Sequence, residues 1–153
     1  MKNKILMLTL IISSFYVTAQ AQTSLAPPKW HPVVKTALTP DGTLPVSGNR
    51  DKEYSIPSSI PGSAKEVLLF VMVRNAGNVN ANTPVYFKIY TQNNSQDYAK
   101  YLYWDPAGGT HVSYNSDNIW LPITKQRTIK CTRETGNGGT AGIASSISII
   151  GYR

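Results

Sequence analysis

The stretch Glu66-Val-Leu-Leu-Phe-Val-Met-Val-Arg74 decides the fold. It is apolar at nearly every position, as expected of a strand covered on both faces. A helix over the same residues would be built mainly of β-branched and aromatic side chains and would run into Asn75-Ala-Gly77, so strand is the better reading. Working outward, Val85-Tyr-Phe-Lys-Ile-Tyr-Thr91 alternates cleanly. Val85, Phe87 and Ile89 point one way, and Tyr86, Lys88 and Tyr90 the other. Residues 99–104 form a third strand, closed by the turn Asp105-Pro-Ala-Gly-Gly109. Residues 110–114 and 118–123 are expected to make a hairpin around Asn115-Ser-Asp117. Residues 127–133 supply another strand, Gly136-Asn-Gly-Gly139 a loose turn, and residues 142–152 a long closing strand rich in Ile and Ser. No segment offers an amphipathic helix of three turns. Roughly seven strands separated by Gly, Asn and Pro turns indicate an all-β fold, an antiparallel sandwich or jelly roll.

Upstream, the composition changes twice. Lys2 and Lys4 precede the apolar run 5–12, followed by Ser13-Ser14 and the small-x-small site Ala19-Gln20-Ala21. Basic, apolar, then small is the order of a secretory signal peptide, too short and wrongly flanked for a membrane anchor. Residues 1–21 are therefore expected to be a cleaved leader, with the mature chain working outside the cytoplasm. No cysteine sits near the cleavage site, which argues against a lipid anchor. Residues 22–53 hold Pro27, Pro28, Pro32, Pro40 and Pro45 with Gly42 and Gly48. That density cannot sustain a helix or a central strand. The stretch reads as an extended arm or lead-in, anchored by Trp30 and Val33-Val34, ahead of a domain over 54–153.

Taking Lys2 and Lys4 away from the 15 Lys and Arg leaves 13 against 8 Asp and Glu. A net positive chain favours anionic partners, although moderate charge also simply keeps a secreted domain soluble. Cys131 is the single cysteine, so no intrachain disulfide forms. It shares a strand face with Ile129 and is expected to be a buried, inert thiol. No later stretch is apolar enough to span a bilayer.

Four strings carry a resemblance over residues 54–153: Tyr54-Ser-Ile-Pro-Ser-Ser-Ile-Pro61, Ala64-Lys-Glu-Val-Leu-Leu-Phe70, Asn115-Ser-Asp-Asn-Ile-Trp-Leu-Pro122 and Ile149-Ile-Gly-Tyr-Arg153. This part of the chain resembles the globular C-terminal tails of some secreted collagen-like and adhesive proteins. The resemblance implies a trimeric β-sandwich and, for some such domains, binding of sulfated polysaccharide. Unlike the collagen-tailed members, the chain has no Gly-X-Y period, only the proline-rich arm. The strings also make sense as structure alone: paired Ile-Pro steps suit an edge, and Gly151 permits close backbone approach.

Catalytic signals are thin. His31 and His111 are the only histidines, and a triad can be drawn from His111, Ser113 and Asp105 or Asp117. Yet there is no Gly-x-Ser-x-Gly elbow and no recognisable oxyanion loop. No zinc spacing appears, Asp105 and Asp117 are explained as turn residues and offer only a weak calcium signal, and Gly136-Asn-Gly-Gly139 lacks the lysine and helix of a phosphate loop. Neither a metal nor a cofactor is expected. Asn93-Asn94-Ser95 is a glycosylation sequon, relevant only if the source glycosylates.

The tyrosines are more suggestive. Tyr86, Lys88 and Tyr90 share a face, and Tyr98, Lys100, Tyr101, Tyr103 and Trp104 follow closely. If the two strands pair, either Lys100 or Tyr101 and Tyr103 come alongside Lys88, depending on register. Rings with ammonium groups between them suit sugars bearing sulfate or carboxylate; the same tyrosines equally suit an interface between subunits. Lys125, Arg127, Lys130 and Arg133 form the densest basic cluster, which would repeat around a trimer axis, or be an ordinary solvated edge. The sequence thus points to a secreted, non-enzymatic binding domain for anionic glycans at a cell or matrix surface. The expected contacts are Tyr86, Lys88, Tyr90, Lys100, Arg127, Lys130 and Arg133. Nucleic acid is a poorer partner. The rivals are a structural or effector protein holding a host surface protein through its aromatic face, and a hydrolase centred on His111.

Overall fold

A computed structural model describes residues 29–46, 50–75, 84–105, 113–134 and 143–153. Their strands are β1 His31–Ala37, β2 Asp51–Ser55, β3 Glu66–Asn75, β4 Val85–Asn93, β5 Gln96–Trp104, β6 Tyr114–Pro122, β7 Thr128–Arg133 and β8 Ile143–Tyr152. One sheet runs β1-β8-β3-β6 and the other β2-β7-β4-β5, with every pairing antiparallel. Only β4 and β5 are consecutive neighbours within a sheet; every other connection crosses between the sheets. That winding is the eight-stranded jelly roll, so the expected fold class holds.

Period-two side-chain alternation builds the core. Val67, Leu69, Val71 and Val73 of β3 face Val85, Phe87 and Ile89 of β4, joined by Leu102, Trp104, Ile119, Leu121, Ile129, Cys131, Ile147 and Ile149. Each such side chain contributes about 1.5–3 kcal/mol by leaving water. The sheets are also tied along both flanks. Asn115 Nδ2 donates to the Tyr103 carbonyl between β6 and β5, and Thr39 bridges Ser55 between the β1 and β2 sides.

Three expectations need correction. The proline-rich stretch is not an arm outside the domain. β1 and β2 each form one edge of a sheet, Leu38 and Leu44 are fully buried, and the boundary expected at Tyr54 falls inside β2. An edge tolerates Pro32 because proline's missing donor faces no partner, and a bulge between Pro32 and Thr36 absorbs the misfit. Second, Asn115-Ser-Asp117 is not a turn. β6 runs straight through it, pairing Asn115, Ser116 and Asp117 with Val73, Met72 and Val71, so ladder pairing overrides local turn preference. Third, β3 is sealed on one face only. Leu68, Phe70 and Met72 on the other are half-buried; the Lys35 ammonium lies 3.9 Å from the centre of the Phe70 ring. On that same side the Trp30 indole occupies the space a side chain at Gly151 would need.

Residues 1–28, which include the expected leader, lie outside the described residues. Among the described residues no helix is long and apolar enough to cross a membrane.

Candidate functional site

The outward face of the β2-β7-β4-β5 sheet gathers the aromatic side chains. A two-residue turn at Asn94-Ser95, with φ of 47° and 67°, joins β4 to β5. Positive φ at both central residues marks the tight hairpin whose twist matches the strands and fixes the register. That register sets Tyr86 against Tyr103, Lys88 against Tyr101 and Tyr90 against Ala99. On its other side β4 sets Lys88 against Thr132 and Tyr90 against Lys130, and β7 in turn sets those two against Asp51 and Glu53 of β2. Directly opposed residues in an antiparallel pair share a face. The result is a set of rows running Tyr101–Lys88–Thr132–Asp51 and Ala99–Tyr90–Lys130–Glu53.

Tyr86, Tyr101 and Tyr103 are 41%, 54% and 42% exposed, so a ligand can reach their rings. Tyr86 and Tyr103 lie 5.0 Å apart between centroids at a 50° tilt, a geometry that aromatic quadrupoles favour. Lys88 Nζ sits 4.8 Å from the Tyr90 ring centre and 2.7 Å from Asp97 Oδ2. The Asp97 hydrogen bond holds the Lys88 ammonium above the usual lysine range. Gln92 Nε2 donates to Asp97 Oδ1 at 3.1 Å, and Gln92 Oε1 accepts from Lys130 Nζ at 3.4 Å, while Lys130 approaches Glu53 at 3.9 Å. Thr132 donates to Asp51 at 2.6 Å. Beside Tyr90 a shallow open cavity of about 410 Å³ is walled by Asp51, Glu53, Lys130 and Thr132.

Of the expected contacts, the structure brings together Tyr86, Lys88, Tyr90 and Lys130. It separates three. Lys100 is opposite Ile89, on the inward-facing side of the edge strand, and reaches solvent there instead of joining the tyrosines. Arg133 is buried, with Nη1 donating to the Val46 carbonyl at 2.7 Å; on the face of Ile129 and Cys131 it finds its acceptor inside and does not reach out. Arg127 lies beyond the start of β7, and its Nη2 donates to the Ile60 and Pro57 carbonyls at 2.8 and 3.3 Å. The four basic residues therefore form no common patch. Asp51, Glu53 and Asp97 interleave with Lys88 and Lys130, so the tyrosine face is mixed in charge, not cationic.

The functional-face residues that sequence reasoning passed over are Asp97, Asp51, Glu53 and Thr132. For Asp97 the signal was the hairpin, whereas Asp51, Glu53 and Thr132 are placed by the long-range pairing of β7 with β4 and β2. Asn94-Ser95 read as a two-residue turn fixes which β5 residue meets each β4 residue, and so places Tyr101 rather than Lys100 beside Lys88.

His111 lies outside the described residues, and Ser113 donates to the main-chain carbonyl of Asp105. Among the described residues no three His, Cys, Asp or Glu side chains gather as a metal ion would need. No family model matches the chain, and no curated protein matches it significantly.

Proposed function

We propose that this is a secreted, non-enzymatic carbohydrate-binding domain that lays a glycan across the outward face of the β2-β7-β4-β5 sheet. The observation that carries this reading is the cluster of Tyr86, Tyr101 and Tyr103, three reachable rings on one rigid sheet face, with Tyr90 and its shallow cavity alongside. Phenol rings offer a flat apolar surface to the C–H face of a pyranose and a hydroxyl at the rim. Lys88, Asp97, Gln92, Lys130 and Glu53 stand between them as donors and acceptors for sugar hydroxyls. Because carboxylates balance the ammonium groups, stacking and hydrogen bonding supply the affinity here. An acidic or sulfated chain gains only locally, from Lys88 and Lys130. Rigid strands hold the rings in place before the ligand arrives, which lowers the entropy lost on binding.

Incubating the purified chain with an array of neutral, acidic and sulfated glycans tests the reading. Retention of at least one glycan class is expected, surviving moderate salt, with affinity falling about tenfold in Tyr86→Ala/Tyr101→Ala. No retained glycan, or equal retention by the double variant, overturns it. In that event, salt-insensitive capture of a purified surface protein through the same tyrosines would establish the protein-partner reading instead.

A further inference from the structure

Two connections cross side by side at the end of the sandwich away from β4's first residue. Residues 56–65 lead from β2 to β3, and residues 123–127 from β6 to β7. The first is folded into consecutive tight turns, with Ile60 N donating to Pro57 O at 3.1 Å and Ala64 N to Pro61 O at 3.1 Å. The second closes with Arg127 N donating to Thr124 O at 3.0 Å. Backbone bonds stitch the two together: Ile123 N to Lys65 O at 2.7 Å and Ile56 N to Arg127 O at 2.9 Å. Arg127 adds the side-chain bonds to Ile60 O and Pro57 O, and it does so from a left-handed backbone at φ 51°, which a β-carbon disfavours. Its guanidinium is thereby held in one place, and among the described residues only Nη2 is engaged in these bonds.

Between these connections lies a cleft of about 260 Å³, into whose lining come Lys65, Lys125 and Arg127. Among the described residues no acidic side chain lines it. The salt bridges among the described residues (Lys52–Asp41, Lys88–Asp97, Lys130–Glu53 and Arg153–Glu66) engage none of the three cations. The carboxylate nearest in sequence, Glu66, is taken by Arg153, and the Arg153 carbonyl is occupied by the Lys65 and Glu66 amides at 2.7 and 3.0 Å. Thr124 shares the wall, and its hydroxyl is buried without a hydrogen-bond partner. A β-carbon at Gly62 would meet nothing within 4 Å, so that side of the cleft is open. Three cationic residues line one open concavity, with no acidic side chain among its described lining residues and one orphan hydroxyl in its wall, an arrangement that favours an anion.

We propose that this cleft binds a tetrahedral oxyanion, a sulfate or phosphate group, between Lys65, Lys125 and Arg127. The fixed guanidinium supplies directional N–H donors, and the two lysines supply charge on flexible stems. The group is either the free ion or an ester carried on a sugar. The cleft is separate from the tyrosine face and is tested separately from it.

The test is a titration of the isotope-labelled full chain with sodium sulfate and with sodium phosphate, chloride holding ionic strength constant, followed by amide resonances. Saturable shifts confined to residues 62–65 and 123–127 are expected. Lys65→Ala and Lys125→Ala should each weaken the affinity about fivefold. Both lysines are exposed, so the variants keep the native spectrum elsewhere. Parallel titrations with a sulfated disaccharide and a sugar phosphate separate the sources: tighter binding than the free ion assigns the cleft to an ester, and equal binding to the ion. Linear shifts matching those in chloride, or an unchanged titration of the double variant, overturn the proposal.

Discussion

Cys131 and Asp41 show what individual side chains contribute. Cys131 is fully buried between Ile129 and Arg133 on the inner face of β7, and burial pushes its thiol well above the ordinary value. A thiol kept protonated and out of water does not react. A maleimide should therefore label the folded chain far more slowly than the urea-unfolded chain, and equal rates would refute the packing. Cys131→Ser should cost about 1–3 kcal/mol in urea unfolding, since a buried hydroxyl there gains no partner. Asp41 accepts from Lys52 Nζ at 2.8 Å, and that hydrogen bond holds its carboxyl below the usual 3.8. A carboxyl depressed in the folded state stabilises above its unfolded pKa, and that stability is lost as pH falls through the folded one. Asp41 is half exposed, so Asp41→Asn should cost at most about 0.5 kcal/mol near neutrality. In thermal unfolding the gap between wild type and variant should close as pH drops below 3.8. A gap that stays constant into acid would show that the bridge contributes nothing.

At the scale of elements, alternation was legible and register, outside the β4–β5 hairpin, was not. Val85, Phe87 and Ile89 against Tyr86, Lys88 and Tyr90 declared two faces at once, and the structure keeps both. The same period placed Arg133 with Ile129 and Cys131, yet whether a charged end turns outward depends on an acceptor 87 residues away, the Val46 carbonyl. Edge placement was equally invisible. Pro32 forbids a central strand but says nothing about which strand will border it, and only β8 pairing makes β1 an edge. Asn115-Ser-Asp117 carries turn-forming residues that β3 holds extended, a tertiary preference beating a local one. The β4–β5 hairpin controls most of the site. Ser95 sits at φ 67° with a β-carbon, where glycine pays no steric penalty. Ser95→Gly should raise stability by about 0.5–1 kcal/mol in chemical unfolding and leave the register intact. A destabilised variant, or one with altered cross-strand contacts between Lys88 and Tyr101, would mean another feature sets the pairing.

The whole molecule is a jelly roll whose two outward faces differ in kind. One carries Leu68, Phe70, Met72 and Trp120, half-buried, with Lys35 over Phe70 and Arg153 over Trp120. The other carries the tyrosine rows, and the sandwich end between them holds Lys65, Lys125 and Arg127, which enter no salt bridge among the described residues. The sequence's positive charge is therefore not spread over the aromatic face; part of it is spent inside on Val46, part on carboxylates, and part gathers at the end cleft. The central claim is that the tyrosine face stacks sugar rings. Ring-labelled tyrosine spectra recorded while titrating an oligosaccharide retained on the array test it most directly. The account predicts saturable changes at Tyr86, Tyr101 and Tyr103, with the sugar's ring protons shifted upfield by the aromatic currents. Changes elsewhere in the chain with those three rings silent would contradict it.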